Sequence, residues 1–202
     1  MVNNGSGFPS PFDKDIYTTN SDSSMVLGIG AGYRYTDLAI PAISLGIHYS
    51  HFLKTHINGQ IIQYSLPEFT NYDYQWKVVS DLVLATSKMN VFRWKNLMPF
   101  VQGGLGISSN RTSQYYEIAL PNVTPRISPN FTNHTTTVLA YQFGAGLDWE
   151  INPQWLISLG YEYSDLGRFR SGSGLDSWST ETLYSANLTS NAAILALTYQ
   201  FG

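Results

Sequence analysis

A histidine and a serine two residues apart, His48 and Ser50, form the clearest enzyme-like pair in the chain. In a β-strand two such residues project from the same face, so the imidazole could act as the base for a serine nucleophile. The alternation of the surrounding segment places both on the strand's polar face. A hydrolase would also need an acidic partner for the histidine and a strand face on which the pair can reach a substrate.

Other polar and charged residues recur on the same face of successive strands. They are Arg34, His48, Lys54, Lys88, Gln102, Gln142, Asp148, Glu150, Glu162, Thr198 and Gln200. Buried charges must be paired, and Arg34 and Lys88 have the carboxylates Asp148, Glu150 and Glu162 available as partners. We predict a hydrogen-bonded, ion-paired interior. The alternative is a narrow path for ions or small solutes.

The sequence carries no metal or cofactor signature. It contains no cysteine, which excludes thiol catalysis and a disulfide framework. His51 and His56 lie near one strand end, but two histidines alone are a weak metal signal. We therefore expect neither a metal nor a cofactor.

Composition points to a single β domain whose outer surface does not face water. The chain has 202 residues, of which 43% are hydrophobic, 14% aromatic and only 12% charged. The net charge of −3 does not indicate the basic surface that binds nucleic acid.

The chain has no run of about 18 apolar residues, so the sequence does not predict a transmembrane helix. The first 15 residues lack the basic and apolar regions of a signal peptide, which by itself would indicate the cytoplasm.

The segment 142–163 shows the repeating pattern most clearly. Phe143, Ala145, Leu147 and Trp149 share one face of its first half, and glycine, glutamine and carboxylates share the other. A period of two predicts a β-strand, and residues 151–154 predict a tight turn into a second strand.

The same pattern predicts seven strands. They cover residues 25–36, 43–54, 77–93, 98–109, 135–150, 155–164 and 190–201. Their connections alternate between short and long: residues 37–42, 94–97 and 151–154 are short, and residues 55–76, 110–134 and 165–189 are long. Short periplasmic turns alternating with long extracellular loops are typical of an outer-membrane barrel.

Aromatic residues gather near the short turns, as an interfacial girdle would. The predicted girdle consists of Tyr33, Tyr35, Trp149, Trp155, Tyr199 and Phe201. The soluble alternative is a lipocalin-like barrel or a β-sandwich, whose outer face should be charged. Here one strand face is uniformly apolar and the other is rich in glycine and charge. We predict an all-β, antiparallel transmembrane barrel over residues 25–202.

Parity sets the expected number of strands. Bacterial single-chain barrels have an even number because both termini return to the periplasm. We therefore predict eight strands in the complete barrel, with the signal peptide and the first ascending strand missing from this sequence. Residues 1–24 would then form an extracellular, loop-like segment. The alternative is that residues 8–20 supply the eighth strand.

Three stretches resemble the small eight-stranded outer-membrane barrels, the superfamily of opacity-type surface proteins. They are GAGLDWEINPQWLISLGYEYSDL, PFVQGGLGIS and the terminal LTYQF. The resemblance implies a bacterial outer-membrane protein surrounded by lipid and lipopolysaccharide. A final strand that ends in an aromatic residue resembles the signal read by the barrel-assembly machinery, although Gly202 follows Phe201 here.

His48-Tyr49-Ser50 also resembles the His-x-Ser motif of the outer-membrane lipid A deacylases. That family carries the motif on the lipid-facing surface, whereas here both residues project inward. The family's asparagine after the serine is His51 here, and the nearest downstream acid, Glu68, lies beyond Pro67. We predict that the chain is not an enzyme.

The function that we expect is structural or surface-interactive, through adhesion or envelope integrity. The partner would be a host or surface ligand at the loops. The alternatives are a narrow solute pore and a lipid A-modifying hydrolase. Aromatic residues of the predicted loops could form a contact surface or pack the loops onto the rim: Tyr72, Tyr74, Trp76, Tyr115, Tyr116, Phe131 and Trp178.

Overall fold

The structure, a computed structural model, describes residues 2–4, 15–20, 22–36, 39–125, 131–173 and 182–201. In chain order its strands are β1 (Val2–Asn4), β2 (Ile16–Tyr17), β3 (Val26–Tyr35), β4 (Ala42–Ile62), β5 (Thr70–Asn90), β6 (Leu97–Ala119), β7 (His134–Asn152), β8 (Trp155–Asp165), β9 (Leu183–Tyr184) and β10 (Thr189–Tyr199). Two short 3₁₀ turns, Gln63–Ser65 and Pro67–Phe69, separate β4 from β5. None of the helices in the described ranges is long and apolar enough to cross a membrane.

The long strands form one curled antiparallel sheet in the order β10-β8-β7-β6-β5-β4-β3. The predicted all-β, antiparallel architecture is confirmed, and the seven predicted strands correspond to β3 to β8 and β10. In the β7–β8 hairpin Leu147 lies opposite Leu159. At its turn, Asn152 Oδ1 accepts hydrogen bonds from the backbone N–H groups of Gln154 (2.9 Å) and Trp155 (3.0 Å).

The outer face of the sheet is apolar and exposed over a band nearest the short turns. Ile29, Leu105, Leu139 and Leu195 are between 72% and 84% exposed. Contiguous apolar surface of this extent is rare on a soluble monomer and common where a barrel faces lipid. We call this band the apolar belt.

The polarity of the two faces reverses farther along the strands, as β5 shows. In its belt half Val83 is exposed and Lys88 points inward. In its other half Tyr74 and Trp76 are each 1% exposed, while Asp73 and Lys77 lie on the outer face. An apolar interior with a polar exterior is the arrangement of a sheet in water. The reversal therefore marks the level at which the sheet leaves the membrane.

The prediction of long loops is wrong for 15 of the 22 residues at 55–76 and for 11 of the 25 residues at 110–134, which belong to strands. β4 and β5 have 21 residues each and β6 has 23, against the 12, 17 and 12 residues predicted for them. The strands continue because the alternation persists with its two faces exchanged. Ladder irregularities between Phe52 and Thr55 and between Gln75 and Lys77 lie close to this exchange. Beyond it, the three strands form what we call the upper extension.

The two outermost strands of the sheet, β3 and β10, run in the same direction. No ladder joins them among the described residues. One strand of opposite direction would pair antiparallel with both, so the sheet is consistent with an eight-stranded barrel. The eighth strand and the missing segment before it stay predictions.

Parts of the predicted loop-like segment 1–24 form short strands. β2 pairs with the upper end of β4, Ile16 opposite Ile62, and β1 joins β2 to β9. Residues 8–14, the first part of the alternative eighth strand, lie outside the described residues. Ile16 and Tyr17 pair beside β4 and not with β10.

Candidate functional site

An ion pair between strands that are not neighbours in the sheet occupies the concave side, the lumen. Lys88 Nζ on β5 lies 2.6 Å from Asp148 Oδ1 on β7 and donates to Ser158 Oγ at 3.0 Å. The Asp148 carboxylate is fully buried and also accepts from Ser158 Oγ (2.6 Å) and Asn90 Nδ2 (2.8 Å). The lysine charge is thus neutralised by a hydrogen-bonded carboxylate, which is the condition for burying both groups.

Apolar side chains complete this layer of the lumen. The Lys88 ammonium lies 4.0 Å from the centroid of the Phe100 ring, a cation–π contact. Arg34 Nη2 lies 3.7 Å from Met98 Sδ, near the short-turn end. Met98 and Phe100 are buried at 0% and 2% exposure, so the β6 side of the lumen is closed by side chains.

Glu150, predicted as a partner of Arg34 or Lys88, instead pairs with Arg93. Arg93 Nη2 lies 2.7 Å from Glu150 Oε2, at the rim where the short turns gather. Arg93 is about half exposed, because it follows the end of β5. The alternation did not indicate this pair, because Arg93 is not among the residues that it places inward.

The middle of the lumen holds a second polar group. Glu162 accepts hydrogen bonds from the amides of Gln102 and Gln142. His48 projects inward beside Gly28 and Gly30, and a Cβ at Gly28 would lie 2.7 Å from His48 Nε2. These glycines therefore leave the space that the imidazole fills.

The arrangement of His48 and Ser50 does not support nucleophilic catalysis. Ser50 is only 4% exposed, on the inner face. The two described side chains form no hydrogen bond with each other, and across the ladder they face Leu84 and Leu82. Among the residues that the structure describes, the pair has neither a base–nucleophile contact nor an acidic partner for the histidine.

Two further inward-predicted residues, Lys54 and Thr198, are exposed. Lys54 lies in the irregular part of the β4–β5 ladder, between Phe52 and Thr55. Thr198 lies on β10, an edge strand with one neighbour in the described sheet.

Above the polar groups the lumen is filled by an apolar layer and then by a buried asparagine. Leu82, Leu84, Ala140 and Leu166 pack together with at most 3% exposure. Asn110 Oδ1 accepts from the hydroxyls of two serines, and its Nδ2 donates to the Leu166 carbonyl at 2.8 Å. Every polar atom of this side chain is satisfied, so the layer is held closed by packing and by hydrogen bonds.

The upper extension encloses a core of its own, which we call the upper core. It consists of Tyr17, Ile57, Ile61, Tyr72, Tyr74, Trp76, Val78, Tyr115, Phe131, Phe169 and Leu183. Trp76 and Phe169 are tilted with ring centroids 5.1 Å apart, and Tyr115 and Phe131 meet edge to face at 5.0 Å. Tyr74 and Tyr115 are stacked at 6.3 Å. Such contacts stabilise beyond the burial of apolar area.

The tyrosine hydroxyls of the upper core are hydrogen-bonded. Burial raises the pKa of Tyr115 well above its ordinary value, and its hydroxyl donates to the Glu117 carboxylate. Burial also raises the pKa of Tyr74, whose hydroxyl donates to the Thr18 carbonyl at 2.8 Å. Both phenols therefore stay protonated donors, and the Tyr74 bond ties the segment around β2 to β5.

Most of the aromatic residues predicted for the long loops thus pack inward. Tyr116 is an exception at 39% exposure, and Trp178 lies outside the described residues. A second exposed set was missed by sequence reasoning. Tyr64 and Phe69, in the connection between β4 and β5, are 51% and 41% exposed. Their only sequence signal was a proline-containing turn between two aromatic residues.

At the opposite end of the strands, the six residues of the predicted girdle lie on exposed surface. Their exposure runs from 38% for Trp155 to 91% for Phe201. The rings of Trp155 and Tyr199 lie 4.9 Å apart, as do those of Tyr199 and Phe201. The structure places them at the edge of the apolar belt; their role as an interfacial girdle stays a prediction.

Several lumen residues were not singled out from the sequence. Ser158 and Asn110 are small polar residues at inward positions, and the alternation alone could have found them. Phe100 and Met98 could not be found in this way, because large apolar side chains at inward positions contradict a simple polar-lumen pattern.

Comparison with known families agrees with this geometry. No curated protein matches the chain. The family model described as "Outer membrane protein beta-barrel domain" matches residues 4–201, nearly the whole chain. With an apolar belt around a side-chain-filled lumen, the chain belongs to the outer membrane protein beta-barrel domain family and is an integral outer-membrane barrel.

Proposed function

We propose that this barrel is a bacterial surface protein that displays a rigid contact site to the outside, for adhesion or envelope integrity. The observation that carries the proposal is the exposed pair Tyr64 and Phe69 at the tip of the upper extension. The tip lies at the end with the long connections, which is extracellular in outer-membrane barrels.

Ring packing, backbone angles and a side-chain hydrogen bond define the geometry of the tip. The rings of Tyr64 and Phe69 pack edge to face with centroids 5.8 Å apart. Tyr64 and Ser65 both adopt left-handed backbone angles, φ 55° and 59°, which cost energy for residues other than glycine. Asn71 Nδ2 donates to Gln63 Oε1 at 2.7 Å and bridges the base of the connection.

Strained backbone that presents exposed aromatic rings is more typical of binding surfaces than of simple turns. Large rings supply contact area at little entropic cost. Because the β4–β5 hairpin and the upper core already fix their position, a partner would not have to order them. Preorganisation of this kind improves affinity by lowering the cost of binding.

Replacing both tip rings, Tyr64→Ala with Phe69→Ala, is expected to weaken binding to cultured epithelial cells. The loss should be roughly thirtyfold in apparent affinity for each ring that acts as a hot spot. The measurement uses non-adherent bacteria that display equal amounts of each variant. Tyr184→Ala removes an equally exposed ring elsewhere on the same end and serves as the control. Equal binding by the tip variant and the control would contradict the proposal.

The pore alternative is opposed by the layers that fill the lumen. We expect purified wild-type protein to give no steady conductance in planar lipid bilayers, since Lys88, Asp148 and the leucine layer above them block the path. A general porin in the same bilayers is the positive control. Reproducible single-channel steps at several voltages would restore the pore function.

We also propose that the chain has no enzymatic role, since His48 and Ser50 lie inside the barrel. The partners that we propose besides the surface ligand are the lipid and lipopolysaccharide of the outer membrane. During biogenesis, the barrel-assembly machinery would read the terminal strand, where Tyr199 and Phe201 form an aromatic end.

A further inference from the structure

Carboxylates lie next to the two exposed aromatic residues of the tip, Tyr64 and Phe69. Glu68 directly precedes Phe69 in the second 3₁₀ turn, and it is exposed. It takes part in none of the three ion pairs between described residues. On the other side of the tip, Asp15 Oδ1 accepts a hydrogen bond from the Tyr64 backbone N–H at 3.3 Å. In the sequence Lys14 lies between Asp15 and another aspartate, so this stretch is also negative on balance.

Basic residues of the strands that carry the tip lie farther away. The segment 55–76 contains two carboxylates and no lysine or arginine. The first lysine along the hairpin, Lys77, pairs opposite His56, six residues before Ile62 at the end of the ladder. At about 3.3 Å per residue it is on the order of 20 Å from that end. Arg170 pairs with β9, which β1 and β2 separate from β4. Among the described residues, the charges nearest the tip are therefore negative.

An exposed ring next to a carboxylate is suited to a cation, because the face of the ring is negative and the carboxylate adds an ion pair. The two rings pack edge to face with centroids 5.8 Å apart, so they do not form a cage. A quaternary ammonium group prefers such a cage and donates no hydrogen bond. A guanidinium group stacks on a single ring and donates two parallel hydrogen bonds to a carboxylate. The geometry of the tip therefore favours arginine over choline.

We propose that the tip binds an arginine side chain of a basic protein partner. The guanidinium stacks on one of the two rings and donates to the Glu68 carboxylate. Arginine is enriched among the residues that carry the binding energy of protein interfaces. The inference rests on the contact site proposed at Tyr64 and Phe69 and names the chemistry of its partner.

The test is the binding of a fluorescein-labelled octa-arginine peptide to the full chain in uncharged detergent micelles, followed by fluorescence anisotropy. An octa-lysine peptide carries the same charge, and wild-type protein should bind it about fivefold more weakly, because lysine stacks less well on a ring. Glu68→Gln should weaken octa-arginine binding by about tenfold, since it removes a charge-assisted hydrogen bond. Asp22→Asn removes an exposed carboxylate next to His56, far from the tip, and should leave binding nearly unchanged.

Replacing both rings with leucine, Tyr64→Leu with Phe69→Leu, keeps apolar surface at the tip but removes the ring faces. This variant should lose the preference for octa-arginine over octa-lysine. Equal octa-arginine affinity of Glu68→Gln and Asp22→Asn would overturn the proposal. So would equal affinity of the wild type for the two peptides, or displacement of octa-arginine by millimolar phosphocholine.

The cell-binding assay separates this inference from the contact site itself. If the double alanine variant of the two rings loses cell binding while Glu68→Gln binds fully, the contact site stands and its partner group is not an arginine. If Glu68→Gln also loses cell binding and free octa-arginine competes with the cells, the inference is supported. Equal cell binding by the ring variant and Tyr184→Ala would contradict the contact site, whereas peptide binding that depends on Glu68 would still support arginine recognition by the tip.

Discussion

Replacing Lys88 with methionine is expected to lower the free energy of unfolding by about 3 kcal/mol, because the fully buried Asp148 carboxylate would lose its cation. Ser158 and Asn90 would still donate to it. Two neutral donors do not replace the charge 2.6 Å away, and methionine keeps the packing against Phe100. The measurement is urea unfolding in detergent micelles, followed by tryptophan fluorescence and by heat-modifiable migration on gels.

Arg93→Gln provides the matched control. It removes a second ion pair at this end of the barrel, with a similar approach of 2.7 Å but a half-exposed cation. Exposed pairs contribute at most about 1 kcal/mol, so the control should be nearly as stable as the wild type. A loss as large as that of Lys88→Met would mean that burial does not distinguish the two pairs.

The double variant Lys88→Met with Asp148→Asn isolates the charge. Asparagine keeps an oxygen that accepts from Ser158 and Asn90 but no longer needs a cation. We expect the double variant to recover most of the loss of the single one, giving a large coupling energy in the double-mutant cycle. Additive losses would instead mean that the two residues stabilise the barrel independently.

The belt half of the fold was predictable because lipid imposes a single rule there. Wherever the outer face must be apolar, a period of two identifies both the strand and the direction of each side chain. Val83 outward and Lys88 inward follow from that rule alone. The upper extension was missed because water imposes the opposite rule. Tyr74 and Trp76 alternate as regularly as the belt residues, but with the two faces exchanged.

The contacts of the lumen were less predictable than its composition. Alternation placed Lys88 and Asp148 inside, but their contact crosses from β5 to β7 and depends on the curvature and register of the sheet. Glu150 illustrates the limit. It was predicted among the lumen carboxylates, yet Arg93 reaches it at the rim because the chain leaves β5 just there. A period of two carries no information on which inward residues meet.

Replacing Trp76 with alanine is expected to loosen the upper extension while leaving the belt half of the barrel folded. Trp76 is 1% exposed and packs against Tyr115 and Phe169. Truncation of a buried tryptophan costs about 3–5 kcal/mol. The loss should fall on the upper core, because the lumen contacts around Lys88 lie in the other half of β5.

Limited digestion with trypsin measures the expected opening. Lys77 and Arg111 lie on the strands of the upper extension, so cleavage after them reports how often those strands separate. When opening is fast relative to cleavage, the rate follows the open population, and about 3 kcal/mol raises it on the order of a hundredfold. Tyr116→Ala removes an exposed ring from the same β6 segment and should leave the rate nearly unchanged.

The two halves of the molecule are separable in this experiment. Cleavage after Lys88 should stay slow and heat-modifiable migration should persist in Trp76→Ala, because both depend on the belt half. Loss of that migration would show that the upper core and the barrel unfold as one unit.

If the extension opens while the barrel persists, binding by Tyr64 and Phe69 should fall although both rings are still present. The proposed contact site would depend on the upper core for its position, so its affinity for a partner would follow the stability of that core.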